Sequence, residues 1–260
     1  MHRRRVTWVG RGGLMSINGH PDHGPMRAGI AVADVAAGLF CALAVMTALL
    51  EREASGKGQW VQVSLLQSMI SMLDFQAARW LFLKEIPGQP GNDPPTSIPT
   101  GVYPTVDGHI KIAAGEQAMF KRLCDAMGAD DLWNTPAYST EESRSENRKA
   151  LNRDLSERTR QHTSAYWLEL FERGSVAAGP INRMDEVFAD PQVKHLRVAQ
   201  PLVHQTMGPI EVVGQPFELS RTPAQMRSPA PLRGEHTDEV LAEAGYSSDE
   251  IAEFRAGGVV

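Results

Sequence analysis

The pattern of apolar and polar positions changes rhythm several times along this chain, most sharply near its start. Residues 31–50 (AVADVAAGLFCALAVMTALL) carry one charge, Asp34, and residues 35–50 carry none. A stretch apolar at every helical position predicts a helix buried on all sides within a large domain. It is shorter than the roughly 18–20 apolar residues needed to span hydrocarbon. It also contains Gly38 and Thr47 and ends in Glu51, Arg52 and Glu53, so no membrane span is expected. Residues 55–58 (SGKG) read as a helix C-cap and turn. Residues 60–66 then alternate Val61, Val63 and Leu65 against Gln62 and Ser64, which is strand periodicity. A helix is expected over 67–83, with Met69, Met72, Leu73, Phe75, Ala78 and Leu81 on its apolar face. Residues 84–99 hold Pro87, Pro90, Pro94 and Pro95, a density that suits a linker and a domain boundary.

Beyond the linker the rhythm shortens. Residues 102–113 predict two strands about the turn at Val106, Asp107 and Gly108, since Asp-Gly readily takes left-handed turn geometry. Helices are expected over 117–127, 143–161 and 164–173; the second, rich in Arg and Glu with Leu151 and Leu155 at helical spacing, reads as a solvated surface helix. A turn at 177–180, a short helix from 184 to 188 closed by Asp190 and Pro191, and a hairpin of 202–204 with 210–213 follow. The last expected element is a helix over 237–244, with His236 and Thr237 at its N-terminal cap. Strands interleaved with helices predict an α/β protein.

Composition narrows the function classes. At 260 residues and 42% hydrophobic content, the chain is long enough for one large or two modest domains. A net charge of −5, with no basic face beyond the first five residues, argues against nucleic-acid binding. Cys41 and Cys124 lie far apart in apolar helical patterns and read as reduced core residues. His20, Asp22 and His23 cluster in residues 19–24 (GHPDHG), which reads as a surface turn rather than a metal loop, and no metal is expected. Gly56, Lys57 and Gly58 follow a helix instead of joining strand to helix, so they are a helix terminus and not a phosphate loop.

Asp34 has two readings. A carboxylate entering an apolar stretch is costly to desolvate unless something uses it. It is either a first-turn acid serving the free N–H groups and positive dipole end of its helix, or a carboxylate nucleophile held there in ionised form.

The segments around it resemble the class III coenzyme A transferases, the family of formyl-CoA and carnitine-CoA transferase-like enzymes with α-methylacyl-CoA racemases as relatives. The resemblance runs, in order, through residues 13–22 (GLMSINGHPD), 29–34 (GIAVAD) with Gly38, 51–59 (EREASGKGQ) and 61–65 (VQVSL). It continues through 99–108 (PTGVYPTVDG), 178–182 (AGPIN) with Asp190 and Pro191, and 234–241 (GEHTDEVL). It implies that Asp34 is the catalytic nucleophile, that Gly29, Gly38 and nearby backbone amides serve the oxyanion and coenzyme A, and that acyl-CoA and a carboxylate are the substrates. No permanently bound cofactor is implied; a homodimer is. By resemblance the fold is a remnant of a Rossmann-like large domain (1–99 and 206–260) with a small α/β domain (100–205).

The family's pattern is also broken: the nucleotide-binding half that precedes the Gly-Leu-Met segment is missing. Residues 1–11 (MHRRRVTWVGR) do not match; they suggest a misplaced start, a frameshift or a truncation rather than an import signal, and a cytoplasmic protein is expected. Two alternatives stand beside the transferase. An acyl-CoA racemase or epimerase would need a histidine about thirty residues before Asp34, where this chain has Arg4. The other is a catalytically inactive fragment of such an enzyme.

Overall fold

The computed structural model describes residues 8–21, 23–92 and 97–260. The chain divides into two compact units, Met1–Ile181 and Asn182–Val260. Helix and antiparallel sheet are mixed in both, in keeping with the α/β class.

The first unit opens with two single-turn helices, α1 (Trp8–Arg11) and α2 (Leu14–Ile17), and then the long α3 (Val32–Ser55). Gly56 ends α3 in the left-handed conformation (φ 70°), and its N–H donates to the Arg52 carbonyl. At 24 residues α3 is long and apolar enough to cross a membrane by length and composition alone, so the sequence had understated it. The expected burial on all sides is not found: Ala33 and Ala36 are its buried residues, while Leu39, Leu43 and Leu50 are more than 60% exposed. Cys41, expected in the core, is exposed with them.

The strand expected over 60–66 does not form. Residues 58–63 make no backbone hydrogen bond among the described residues, and a strand without a partner has no ladder to define it. A helix, α4 (Leu65–Ser71), begins there instead, capped by Ser64 accepting from the Gln67 N–H, and it packs against α1 and α3. The helix expected over 67–83 therefore starts early and breaks. Asp74 takes φ 50°, unusual for a residue with a Cβ, and α5 (Phe75–Ala78) resumes into a π turn, Arg79–Leu83. Trp80, Leu81 and Phe82 beyond the break are exposed.

The core lies downstream. Strands β1 (Thr100–Pro104), β2 (His109–Ala113) and β3 (Ala178–Pro180) form an antiparallel sheet in that order. Tyr103, Ile110 and Ile112 point inward and His109 and Lys111 outward, the alternation a one-sided sheet requires. Over the inner face lie α6 (Gln117–Met127), α7 (Asp130–Asn134), α9 (Arg148–Thr159) and α10 (Ser164–Arg173), which contribute Phe120, Leu123, Leu132, Leu151, Leu155, Trp167 and Phe171 to one cluster, with the short α8 (Glu141–Glu146) leading into α9. That cluster runs from Ile98 to Val176, inside the span assigned to a small domain except for Ile98.

Two sequence expectations change here. The turn between β1 and β2 has four residues, and Gly108 does not take a positive φ. The Asp107 carboxylate holds it, accepting from the Ser164 N–H (2.7 Å) and the Thr105 hydroxyl (3.0 Å), and those bonds lower its pKa. The solvated helix over 143–161 is in fact α8 and α9, and its first arginine is a core residue. Arg144 is fully buried, and among the described residues no carboxylate forms an ion pair with it. Its Nε donates to the Ile98 carbonyl, Nη1 to Gln117 Oε1 and the Tyr138 carbonyl, and Nη2 to the Gly115 carbonyl, at 2.7–3.1 Å. The guanidinium also sits 4.5 Å from the Phe120 ring centroid. Burial pushes its pKa down, opposed chiefly by Glu141. Cys124 lies in the same core, where burial pushes its thiol up to about 11.

The second unit holds α11 (Met184–Ala189), α12 (Pro191–His195), the hairpin of β4 (Ala199–His204) and β5 (Gly208–Val213), and helices α13 (Thr237–Glu243) and α14 (Ser248–Ala256). Asp190 caps α12 and Ser247 caps α14 through their side chains. His236 and Thr237 do not cap α13: no side-chain cap bond is made there.

Candidate functional site

Asp34 is the third residue of α3, and the way the chain reaches it is fixed by a clip to the linker. Gln89 Nε2 donates to the carbonyls of Asn18 (2.6 Å) and Gly24 (2.7 Å), and the Gly91 N–H donates to the Gly19 carbonyl (2.9 Å). Gly19 adopts φ 115°, and a Cβ there would lie 2.8 Å from Gln89 Nε2 and 2.9 Å from Met26 Cβ, so only glycine fits. The Asn18 side chain, donating to the Met26 carbonyl, closes the loop just ahead of Arg27 and Gly29.

At the helix start no side chain caps the backbone. Ala31 occupies the N-cap position, and the first bond of the ladder runs from the Val35 N–H to the Ala31 carbonyl. The N–H groups of Ala33 and Asp34 have no acceptor among the described residues. These donors at the positive end of a 24-residue helix favour negative charge beside them. The Asp34 carboxylate is exposed, and among the described residues nothing hydrogen-bonds to it. It is therefore an accessible carboxylate at a helix terminus where no side-chain cap bond is made.

Gly29 lies exposed in the loop five residues ahead of Asp34, with nothing within 4 Å of where a Cβ would stand. Gly38 is one helical turn after Asp34 on the same face, also with open space around it. Inside the helix its N–H belongs to the backbone ladder, so what it offers is clearance above Asp34 rather than a donor. The Ala33 and Asp34 amides were not singled out by sequence reasoning. The missing Ser, Thr, Asp or Asn at position 31 was the signal that could have found them.

The other candidates separate. The rings of His20 and His23 stand edge to face at 5.3 Å, while Asp22 lies outside the described residues. Among the described residues no group of three or more His, Cys, Asp or Glu is placed to hold a metal ion.

Comparison with known proteins identifies the family. The model of CoA-transferase family III matches residues 6–237. The human succinyl-CoA:glutarate CoA-transferase is 35% identical over 249 residues, which are 95% of this chain and 57% of that protein. The succinate–glutarate CoA-transferase of Agrobacterium fabrum is 35% identical over 234 residues, 90% of this chain and 58% of its own. Among solved structures, a CAIB/BAIF family protein from Brucella suis superposes with a TM-score of 0.78 at 33% identity, covering 91% of this chain and 61% of that one. Rv3272 of M. tuberculosis shares the fold (TM-score 0.77, 23% identity, 89% of this chain and 61% of that one). The chain thus spans less than two thirds of the length of these relatives. With a match over most of its residues, it belongs to CoA-transferase family III.

Proposed function

We propose that this chain carries the nucleophile of a coenzyme A transferase that moves CoA from an acyl-CoA to a dicarboxylic acid. The observation that carries the reading is Asp34: an exposed, uncapped carboxylate at a helix start, with two unclaimed backbone N–H groups beside it. Asp34 attacks the acyl-CoA carbonyl, forming a C–O bond and releasing CoA thiolate to leave an acyl-aspartyl anhydride. The thiolate attacks the aspartyl carbonyl, releasing the donor acid and leaving an aspartyl thioester. The acceptor carboxylate attacks that thioester, giving a second anhydride and free thiolate. Attack of the thiolate on the acceptor's acyl carbon yields the new acyl-CoA and restores Asp34. Each addition places negative charge on a carbonyl oxygen, which backbone donors at the helix start are suited to receive.

The acceptor class rests on what the relatives are named for: glutarate in the human and Agrobacterium proteins, D-citramalate in that of Chloroflexus aurantiacus, mesaconate in that of Haloarcula hispanica. All are dicarboxylates. The exposed apolar face of α3 supports a working form in which further polypeptide covers it, and we place the reaction in a cytoplasmic homodimer. The portion of the relatives outside the match is expected to be needed for CoA binding, so the 260 residues alone should turn over slowly or not at all.

The test is Asp34→Asn in protein supplied with that portion, assayed with succinyl-CoA and glutarate. Turnover should fall by at least about a thousandfold with the circular dichroism spectrum unchanged, as for loss of a covalent nucleophile. A hydroxylamine-trapped adduct on Asp34, seen by mass spectrometry, is the positive result. Near-normal turnover in the Asn variant would reduce Asp34 to a first-turn acid.

A further inference from the structure

The stretch between α3 and α4 has the pattern of a strand and nothing to pair with. Residues 58–63 make no backbone hydrogen bond among the described residues, so their N–H and C=O groups are open along both edges. Val61 and Val63 are half-buried, whereas Trp60 (90% exposed) and Gln62 stand in the open. Alternation of this kind, with one face covered, belongs to antiparallel sheet; a strand buried on both faces of a parallel sheet reads as one apolar run. The cover is α3. Residues 59–63 and residues 40–48 wall one groove of about 510 Å³, whose described lining holds no charged side chain. Residues 58–64 (GQWVQVS) also contain no charge and no proline, the devices by which exposed strand edges are protected.

The helix carries a face to match. Val35, Leu39, Leu43, Met46 and Leu50 are each more than half exposed and form a single stripe along α3. Leu39, Leu43, Met46 and Leu50 follow the alternating four-and-three spacing with which one helix receives another. Two such 24-residue helices laid side by side would cover roughly 700 Å² in all, and a pair of six-residue strands roughly 400 Å² more. Neither alone reaches the size of a stable interface, about 1,000 Å²; together they do.

We propose that residues 58–64 are an edge strand that pairs antiparallel with the same residues of a second copy of this chain, Gln62 opposite Gln62 on the two-fold axis. Such an axis keeps each side chain on its own face, and only centring on Gln62 sets both valines against valines, Val61 of each copy opposite Val63 of the other. The two Gln62 side chains then meet on the outer face, the two α3 stripes come side by side, and the contact is self-complementary and closed. That this dimer is the working enzyme rests on the transferase reading; the pairing itself does not.

The experiment is sedimentation velocity of the 260-residue chain over a range of concentrations, for wild type, Val61→Pro and Val61→Thr. The wild type should dimerise. Proline removes a ladder donor from each copy but breaks no bond within the monomer, where that N–H has no partner among the described residues, and matched far-ultraviolet spectra check that. Val61→Pro should raise the dimer dissociation constant at least about tenfold, while Val61→Thr, which keeps the N–H and the branched side chain, should leave it within about threefold. Register is read by disulfide formation in a Cys41→Ser background, since Cys41 is exposed. Gln62→Cys should link to its own copy, because residues opposite one another in such a pair have Cα atoms about 4.5–5.5 Å apart. Gln59→Cys would lie about 20 Å from its copy and should not link. A monomeric wild type, a dissociation constant unmoved by Val61→Pro, or equal linking at the two positions overturns the pairing. So does a dimer that Leu39→Lys with Leu43→Lys dissociates but Val61→Pro leaves intact, since its contact would be α3 alone. If Asp34→Asn kept its turnover while Val61→Pro still dissociated the dimer, the nucleophile assignment would fall and the pairing would stand.

Discussion

Replacing Arg144 by methionine should be among the most damaging single changes to the first unit, and its size can be worked from contacts. The guanidinium satisfies three backbone carbonyls, those of Ile98, Gly115 and Tyr138, and the side-chain oxygen of Gln117. Methionine has similar length and no donor, so all four acceptors lose their partner inside the protein. At about 1–3 kcal/mol for each orphaned acceptor, the gross loss is roughly 4–12 kcal/mol. Removing a buried charge returns several kcal/mol of desolvation, so the net cost is about 3–5 kcal/mol. Arg144→Lys should fall between, because an ammonium keeps the charge but cannot reach four acceptors spread around a planar fork. Arg153→Ala, at a side chain 68% exposed, should stay within about 0.5 kcal/mol of wild type. Urea unfolding followed by far-ultraviolet circular dichroism at one protein concentration measures all three. An unchanged midpoint for Arg144→Met would refute the idea that this cation organises the core.

Two further predictions concern the surface and the pH response. The chain should self-associate through α3, and Leu39→Lys with Leu43→Lys should shift it toward monomer, since each largely exposed leucine that becomes covered contributes about 1 kcal/mol. Sedimentation velocity decides, and a wild-type chain that stays monomeric at all concentrations would refute it. Tyr138 donates to Asp154 (2.7 Å), and burial, reinforced by that carboxylate, pushes its phenol up to about 12 from an ordinary 10. The folded state therefore holds the proton longer than the unfolded one, so this contribution is complete below pH 10 and is lost as pH rises toward 12. Tyr138→Phe should cost about 1 kcal/mol at neutral pH, a difference that shrinks across that window. Parallel pH curves for the two proteins would show that folding leaves the Tyr138 phenol unshifted, against this reasoning.

What could be read from sequence tracks what is local. Helices over 117–127 and 164–173 emerge at their expected bounds, because apolar spacing and terminal residues lie within each segment. Residues 60–66 failed for the opposite reason: their alternation is that of a strand, but a strand is completed by its neighbour, and none pairs with it here. Arg144 misled because charge patterning suggests water, whereas its partners Ile98, Gly115 and Gln117 are far from it in sequence. For the site, the sequence singled out Asp34 but not the bare helix terminus beside it.

The placement of the core has a consequence for how the chain opens. Every member of the main buried cluster lies between Ile98 and Val176, while α3 buries little more than Ala33 and Ala36. Amide hydrogens in β2, α6 and α9 should therefore exchange only through cooperative opening of that cluster, and those in the middle of α3 by local fraying, orders of magnitude sooner. The segment bearing Asp34 therefore melts before the core does. A polypeptide surface that settled on α3 would do more than hide leucines: by stabilising the helix, it would also steady the two unclaimed amides beside the Asp34 carboxylate.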